Sequence, residues 1–182
     1  MKRIRTLIVA AISTGLIAGL SISVSAQNPE VDPMAPAVVT GHFFGGCPDF
    51  GETITAPDGV TETKPTFSCQ RWETNDDRLN GTNVDVGNWE RYPDHGIQIA
   101  AGRFHTTDDD GDGSWTGVWN GIAIDAADGI EQMEIDTIIL TGHGAYEGLT
   151  AYILQDWSKD PVEVRGAIFP RDMPEVPEPA TE

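Results

Sequence analysis

An acidic turn in the second half of the chain carries the residues best suited to metal chemistry. Asp108, Asp110 and Asp112 alternate along the chain and are followed by Gly113. This D-x-D-x-D-G spacing is that of the first half of a calcium loop, in which alternate carboxylates converge on one hard cation. The twelfth position is Trp119, so the Glu that completes an EF-hand is missing. The pattern predicts either a weak calcium site or a solvated hairpin turn.

A second candidate site lies in a glycine-rich segment near residue 145. His143 stands there close to Tyr146 and Glu147, and histidine is the side chain whose charge changes near neutral pH. We expect these three residues to contact a ligand if His143 points inward, and to lie at a rim if it does not. Short metal-binding spacings are absent around the other histidines, His42, His95 and His105.

Motifs of well-known enzyme classes are absent from the sequence. It contains no G-x-S-x-G elbow, no P-loop and no H-E-x-x-H, so hydrolase and nucleotide-binding functions lose their usual support. No catalytic residue is assigned, and whether the protein is an enzyme stays open. The five tryptophans favour a packed core over a carbohydrate-stacking surface.

Two cysteines, Cys47 and Cys69, are expected to form a disulfide. Their spacing fits neither a paired C-x-x-C metal site nor a thioredoxin-type motif. In an oxidising compartment a disulfide is the ordinary state of such a pair. Closing a loop of this length contributes roughly 3 kcal/mol in the chain-entropy model.

The N-terminus predicts export. Basic residues at positions 2, 3 and 5 precede an apolar run from about Leu7 to Ile22, and Val24 to Ala26 offers small residues for cleavage. Residues 1–26 therefore have the three zones of a bacterial-type signal peptide, which predicts a secreted or periplasmic protein. The alternative is an uncleaved membrane anchor, but the run is short for a bilayer and is interrupted by polar residues and glycine.

The elements that must position these residues are strands. Between a Pro-rich linker, 27–36, and an acidic Pro-rich tail, 171–182, apolar residues recur at period two in segments bounded by turn residues. Short turns between such segments predict an all-β domain at 37–170, an eight-stranded antiparallel barrel with a β-sandwich as the alternative. The eight predicted strands are Val38 to Phe44, Thr61 to Trp72, Leu79 to Val86, Ile97 to His105, Ser114 to Ile124, Glu134 to Thr141, Leu149 to Trp157 and Val162 to Phe169.

The fifth segment favours the barrel over the sandwich. Trp115, Gly117, Trp119 and Gly121 share one face, and this alternation of large and small residues suits a curved, closing sheet. Glycine also lets a neighbouring indole lie close to the backbone. We expect Gly117 and Gly121 to leave volume inside the barrel.

Two motifs carry a resemblance to known proteins. The W-T-G-x-W-x-G strand from Trp115 to Gly121 and the G-x-G-A-Y-x-G-L turn from Gly142 to Leu149 resemble those of a group of uncharacterised secreted bacterial proteins. More distantly, the turn is similar to the glycine-rich hairpin of dirigent proteins and allene oxide cyclases. That resemblance implies an eight-stranded antiparallel barrel around an apolar cavity, and it transfers no catalytic residue. His143 stands where the dirigent-like motif has Thr.

Charge and fold together leave two functional hypotheses. The net charge of −18 is that of an acidic protein without a basic face, which excludes a general nucleic-acid binder. The first hypothesis is an exported barrel that binds or isomerises a small hydrophobic ligand in its interior, with no membrane contact after signal cleavage. The second is a non-catalytic secreted or envelope interaction module with a packed interior and weak calcium binding. Neither requires a cofactor other than calcium.

Overall fold

A computed structural model of the chain describes residues 32–127 and 132–175, without the side chains of residues 46–50. The predicted signal peptide, 1–26, lies outside the described residues. So do residues 27–31 of the predicted linker and residues 176–182 of the predicted tail. Within the described ranges, no helix is long and apolar enough to cross a membrane.

Eight antiparallel strands form one closed barrel, in which each strand pairs with the next and the last pairs with the first. This confirms the predicted all-β class and the barrel, and it excludes the sandwich. Two short 3-10 turns, at Asp77–Leu79 and Pro93–His95, interrupt the chain between strands. The strands are β1 (Ala37–Thr55), β2 (Thr61–Thr74), β3 (Gly81–Tyr92), β4 (Ile97–Asp108), β5 (Gly113–Ile124), β6 (Met133–Gly144), β7 (Thr150–Asp156) and β8 (Val162–Phe169).

Two strands run six or more residues further than their sequence predicts. β1 was expected to end at Phe44 because Gly45-Gly46-Cys47-Pro48 has the composition of a turn, yet it continues to Thr55. Irregular register between Gly45 and Glu52 absorbs these residues, so pairing with β2 resumes beyond them. β3 was expected to end at Val86 and continues to Tyr92 in unbroken register with β4.

The antiparallel order divides the connections between two ends of the barrel. The upper end carries the connections after β1, β3, β5 and β7, and the lower end carries those after β2, β4 and β6. The acidic turn and the glycine-rich hairpin are both connections of the lower end. Residues that begin β4 and β6 therefore lie at the opposite end from both sequence motifs.

The lower half of the barrel is filled by apolar side chains. Trp72 stacks on Phe104 with ring centroids 5.2 Å apart, and Trp115 stacks on Tyr146 at the same separation. Because these rings and the branched side chains around them are almost fully buried, this half is a packed core. The aliphatic members of that core include Val39, Leu79, Ile138, Leu140, Leu149, Ile153, Val164 and Ile168.

Part of the predicted N-terminal linker packs on the lower end. Arg78 donates hydrogen bonds to the carbonyl oxygens of Pro33 (2.7 Å) and Ala35 (3.0 Å) and forms a half-buried ion pair with Asp76 at 2.7 Å. Met34 lies against the core between those two anchored carbonyls. The described residues of the linker are thus held on the barrel.

The glycines of β5 do not create free volume as the sequence suggested. A Cβ on Gly117 would overlap the carbonyl oxygen of Ile139, and one on Gly121 would overlap the carboxylate of Asp136. The indole of Trp119 lies instead against Gly87 and Gly102, on the two strands that precede β5. Glycine is needed at these positions because a backbone carbonyl, a carboxylate and an indole ring lie too close for any side chain.

Adding one methyl group at Gly117 should therefore destabilise the barrel. Its nearest neighbours are backbone atoms of β6, which cannot move aside, so we expect Gly117→Ala to lower the free energy of unfolding by roughly 1–3 kcal/mol. Gly45→Ala is the control, because a Cβ there meets nothing within 4 Å. Urea denaturation of both variants measures the difference. Equal stabilities would show that β6 is free to shift away from β5.

Candidate functional site

A cavity of about 370 Å³ occupies the upper half of the barrel and is partly open to solvent. We call it the upper cavity. Its wall combines hydroxyl, amide and carboxylate groups with four aromatic rings. The lining residues are Thr63, Thr66, Ser68, Gln70, Asp85, Trp89, Gln98, Phe104, Trp119, Glu134, Asp136, Gln155 and Trp157.

A chain of buried hydrogen bonds forms the floor of the upper cavity. The amide of Gln155 on β7 donates to Gln70 on β2 at 3.0 Å, and Gln70 donates to the Asp85 carboxylate on β3 at 3.1 Å. Ser68 donates to the same carboxylate oxygen at 2.5 Å. Because Gln70, Asp85 and Gln155 are each at most 6% exposed, this chain fixes side chains across the barrel interior.

A second carboxylate, Asp136, lies on the β6 side of the upper cavity. It is 6% exposed and accepts a hydrogen bond from the indole N–H of Trp157 at 2.8 Å. Burial raises the pKa of Asp136 to about 7, and the nearby carboxylates of Glu134 and Asp85 act in the same direction. Burial also raises the pKa of Glu134. Asp136 therefore changes its charge near neutral pH, as an acid–base group or a charge-sensing contact would.

Three indoles form the aromatic wall of the upper cavity. Trp89 and Trp119 contact one another with ring centroids 5.4 Å apart and planes tilted by 53°. Trp157 packs edge-on against Phe43 at 4.8 Å and directs its N–H to Asp136. The sequence favoured core for all five tryptophans, and Trp72, Trp115 and Trp119 are members of the buried core. Trp89 and Trp157 are partly buried and pack against that core, and with Trp119 they also line the cavity.

The predicted ligand residues of the glycine-rich hairpin do not reach the upper cavity. His143 is exposed and forms a hydrogen bond with Thr116 at 2.6 Å, and Glu147 is exposed on the turn. Tyr146 is buried on Trp115 and donates its hydroxyl proton to Asp108. Burial and that bond raise the pKa of the Tyr146 phenol. The hairpin therefore closes the lower end, where these three residues stand apart from the cavity.

Of the three predicted calcium ligands, one is buried in a structural role and two are exposed to solvent. Asp108 is buried and accepts hydrogen bonds from the backbone N–H groups of Gly111 (2.5 Å) and Gly113 (3.1 Å) as well as from Tyr146. Asp110 and Asp112 are exposed. Among the described residues no group of three His, Cys, Asp or Glu side chains is placed to hold a metal ion. Calcium binding at this turn stays a prediction.

The polar residues of the upper cavity escaped the sequence analysis because no motif joins them. They come from β2, β3, β4, β6 and β7, and each is an ordinary residue inside a strand, whereas Trp119 of the aromatic wall lies on β5. A signal was nevertheless present in β6. Glu134 and Asp136 share a face with the core residues Ile138 and Leu140, so the period-two pattern assigns these two carboxylates to the barrel interior.

Comparison with known proteins gives no relative from which a function could be transferred. No family model, no curated protein and no solved structure matches the chain. The resemblance to dirigent proteins and allene oxide cyclases therefore stays a prediction of the sequence.

The raised pKa of Asp136 predicts a pH-dependent stability. The folded protein keeps the proton of Asp136 up to about pH 7, whereas the unfolded chain releases it near the ordinary aspartate pKa of 3.8. Stability is thus lost as pH rises between these values, by roughly 4 kcal/mol at most. We expect the stability of Asp136→Asn relative to that of the wild type to increase when the pH is raised from about 5 to about 8.

Urea unfolding of both proteins at the two pH values measures this gain. Asp77→Asn, an exposed residue at the lower end, is the control for loss of one carboxylate. An equal gain in both variants would show that burial of Asp136 is not its source.

Proposed function

We propose that this protein binds a small molecule in the upper cavity. The observation that carries the proposal is an unfilled space of about 370 Å³ inside a barrel whose other half is packed. That volume lies within the usual range of ligand pockets, which combine aromatic walls with a few placed polar groups. The hydrogen-bonded floor holds its polar groups before a ligand arrives, which lowers the entropic cost of binding.

The wall of the cavity favours an amphipathic ligand over a purely hydrophobic one. Thr63, Gln98 and Glu134 are only partly buried in this wall, and each would lose hydration to an apolar molecule without gaining a hydrogen bond. Isomerisation of the bound molecule is a second candidate function. It is supported by the Asp136 carboxyl group, because a pKa of about 7 suits proton transfer at neutral pH.

The alternative function, an interaction module without a ligand, is supported by the exposed carboxylates of the acidic turn. It requires an interior that no small molecule enters. Binding to the upper cavity therefore separates the two hypotheses.

A cavity-filling variant tests the proposal. Gln98 is half-buried at the cavity rim, and its neighbour Ile99 faces outward with 41% of its surface exposed. We expect 2-phenylethanol, 2-phenylethylamine, phenylacetate or indole to raise the melting temperature of the wild type and of Ile99→Trp, but not of Gln98→Trp. At a concentration of about 100 Kd the stabilisation is about 2.7 kcal/mol, or roughly 5–10 °C.

Either of two results would contradict the proposed binding site. If none of these compounds stabilises the wild type, or if Gln98→Trp responds as strongly as Ile99→Trp, the upper cavity is not a binding site for molecules of this kind.

We also propose that the protein is exported and carries a disulfide between Cys47 and Cys69. The two residues are register partners on β1 and β2, which supports the pairing, although the side chain of Cys47 lies outside the described part. Mass spectrometry of protein recovered from the periplasm or medium, alkylated without reduction, should find no label on either cysteine and an N-terminus near Gln27. Two labelled cysteines would exclude the disulfide.

A further inference from the structure

We propose that the upper cavity selects an organic cation, an ammonium group carried on a compact apolar body. This inference rests on the proposed binding function and names its ligand class. Three carboxylates line the cavity, at Asp85, Glu134 and Asp136, whereas none of the described lining residues is Lys, Arg or His. A positive ligand complements the negative charge of this wall.

A buried hydroxyl provides a second sign of an absent ligand group. Thr66 lines the cavity, is only 8% exposed, and its Oγ1 has no hydrogen-bond partner among the described residues. Buried hydroxyls normally have a hydrogen-bond partner, because an unpaired one loses its hydration without compensation. The N–H groups of an ammonium ligand, or an O–H group elsewhere on that ligand, can donate a hydrogen bond to the hydroxyl oxygen of Thr66.

The aromatic wall favours a cation with apolar substituents over a bare metal ion. The faces of the Trp89 and Trp119 rings carry negative quadrupole density, which attracts alkylammonium groups. The same rings bury the apolar part of such a ligand. The three carboxylates come from β3 and β6 and do not form a compact group that could coordinate a metal, as noted for the described residues. They can instead surround a larger, extended charge.

Binding of a cation should be coupled to the ionisation of Asp136. The groups that face this carboxylate are Glu134 on its own strand, Asp85 on β3 and the indole N–H of Trp157. An approaching cation favours the ionised form, so it binds more tightly above about pH 7 than below. Near neutral pH its binding releases a proton.

Three probes of similar shape and different charge test the inference. Calorimetry of the full chain after signal removal compares 2-phenylethylamine, a cation at neutral pH, with neutral 2-phenylethanol and anionic phenylacetate. We expect the amine to bind about tenfold or more tightly than the alcohol, a difference of about 1.4 kcal/mol, and phenylacetate to bind more weakly still. Affinity for the amine should rise several-fold from about pH 6 to about pH 8, while affinity for the alcohol stays constant.

Two variants locate the effect in the upper cavity. Asp136→Asn should weaken amine binding about tenfold and remove most of its pH dependence, a larger effect than on the binding of 2-phenylethanol. Glu134→Gln is less buried, so it keeps the test valid if Asp136→Asn does not fold, and it should weaken amine binding in the same direction. Glu73→Gln, on the outer face of β2 at the lower end, makes the same charge change as Glu134→Gln and should alter nothing.

The outcomes separate the failure of this inference from the failure of the proposed function. If 2-phenylethanol or phenylacetate binds as tightly as the amine and Gln98→Trp abolishes that binding, the cavity binds small molecules but does not select cations. If millimolar magnesium or calcium displaces the amine, the cavity selects metal ions and the inference is wrong. If no probe depends on Gln98, both proposals fall.

Discussion

The buried hydrogen-bonded chain from Gln155 through Gln70 to Asp85 is the interaction on which the division of this barrel depends. An eight-stranded barrel is just narrow enough for side chains to fill it, so the contents of each layer decide whether it is open or solid. Below the chain the layers hold aromatic rings and branched aliphatic side chains. Above it they hold hydroxyls, carboxylates and tilted indoles around a cavity. The polar chain separates the two because Gln155 donates to Gln70, and Gln70 to Asp85, across the interior.

The same division explains why small and large residues alternate along β5. Gly121 gives room to the Asp136 carboxylate, while Trp119 covers the glycines of β3 and β4 with its ring. Because glycine has no side chain, a carboxylate and an indole can lie at the cavity wall. The cavity itself is the space left between these groups and the polar side chains of moderate size around them. The sequence correctly predicted that glycine permits close approach, but the identity of the approaching groups depends on register between strands that are distant in the chain.

The eight strands could be predicted from the sequence because period-two alternation is a local property. β8 was predicted at its observed bounds, since a turn and a proline delimit it on both sides. The second half of β1 could not be predicted, because its glycines and proline are typical of a turn and only pairing with β2 keeps the segment extended. The candidate site was missed for a related reason. The acidic turn and the glycine-rich hairpin, which carry the recognisable motifs for a site, lie at the lower end. The upper cavity is assembled from single polar residues on five strands, such as Gln70, Gln98 and Asp136.

The cost of placing Asp136 inside the barrel supports a role in binding over a role in folding. Burial of its carboxylate reduces stability at neutral pH, and none of the seven ion pairs among the described residues includes it. Its hydrogen bond from Trp157 would survive replacement by Asn, whose side-chain oxygen can accept the same proton. A barrel optimised only for stability would therefore gain from a neutral residue at this position. A cation that interacts with the ionised carboxylate would recover that cost on binding, so the proposed cation site accounts for a buried carboxylate at this position.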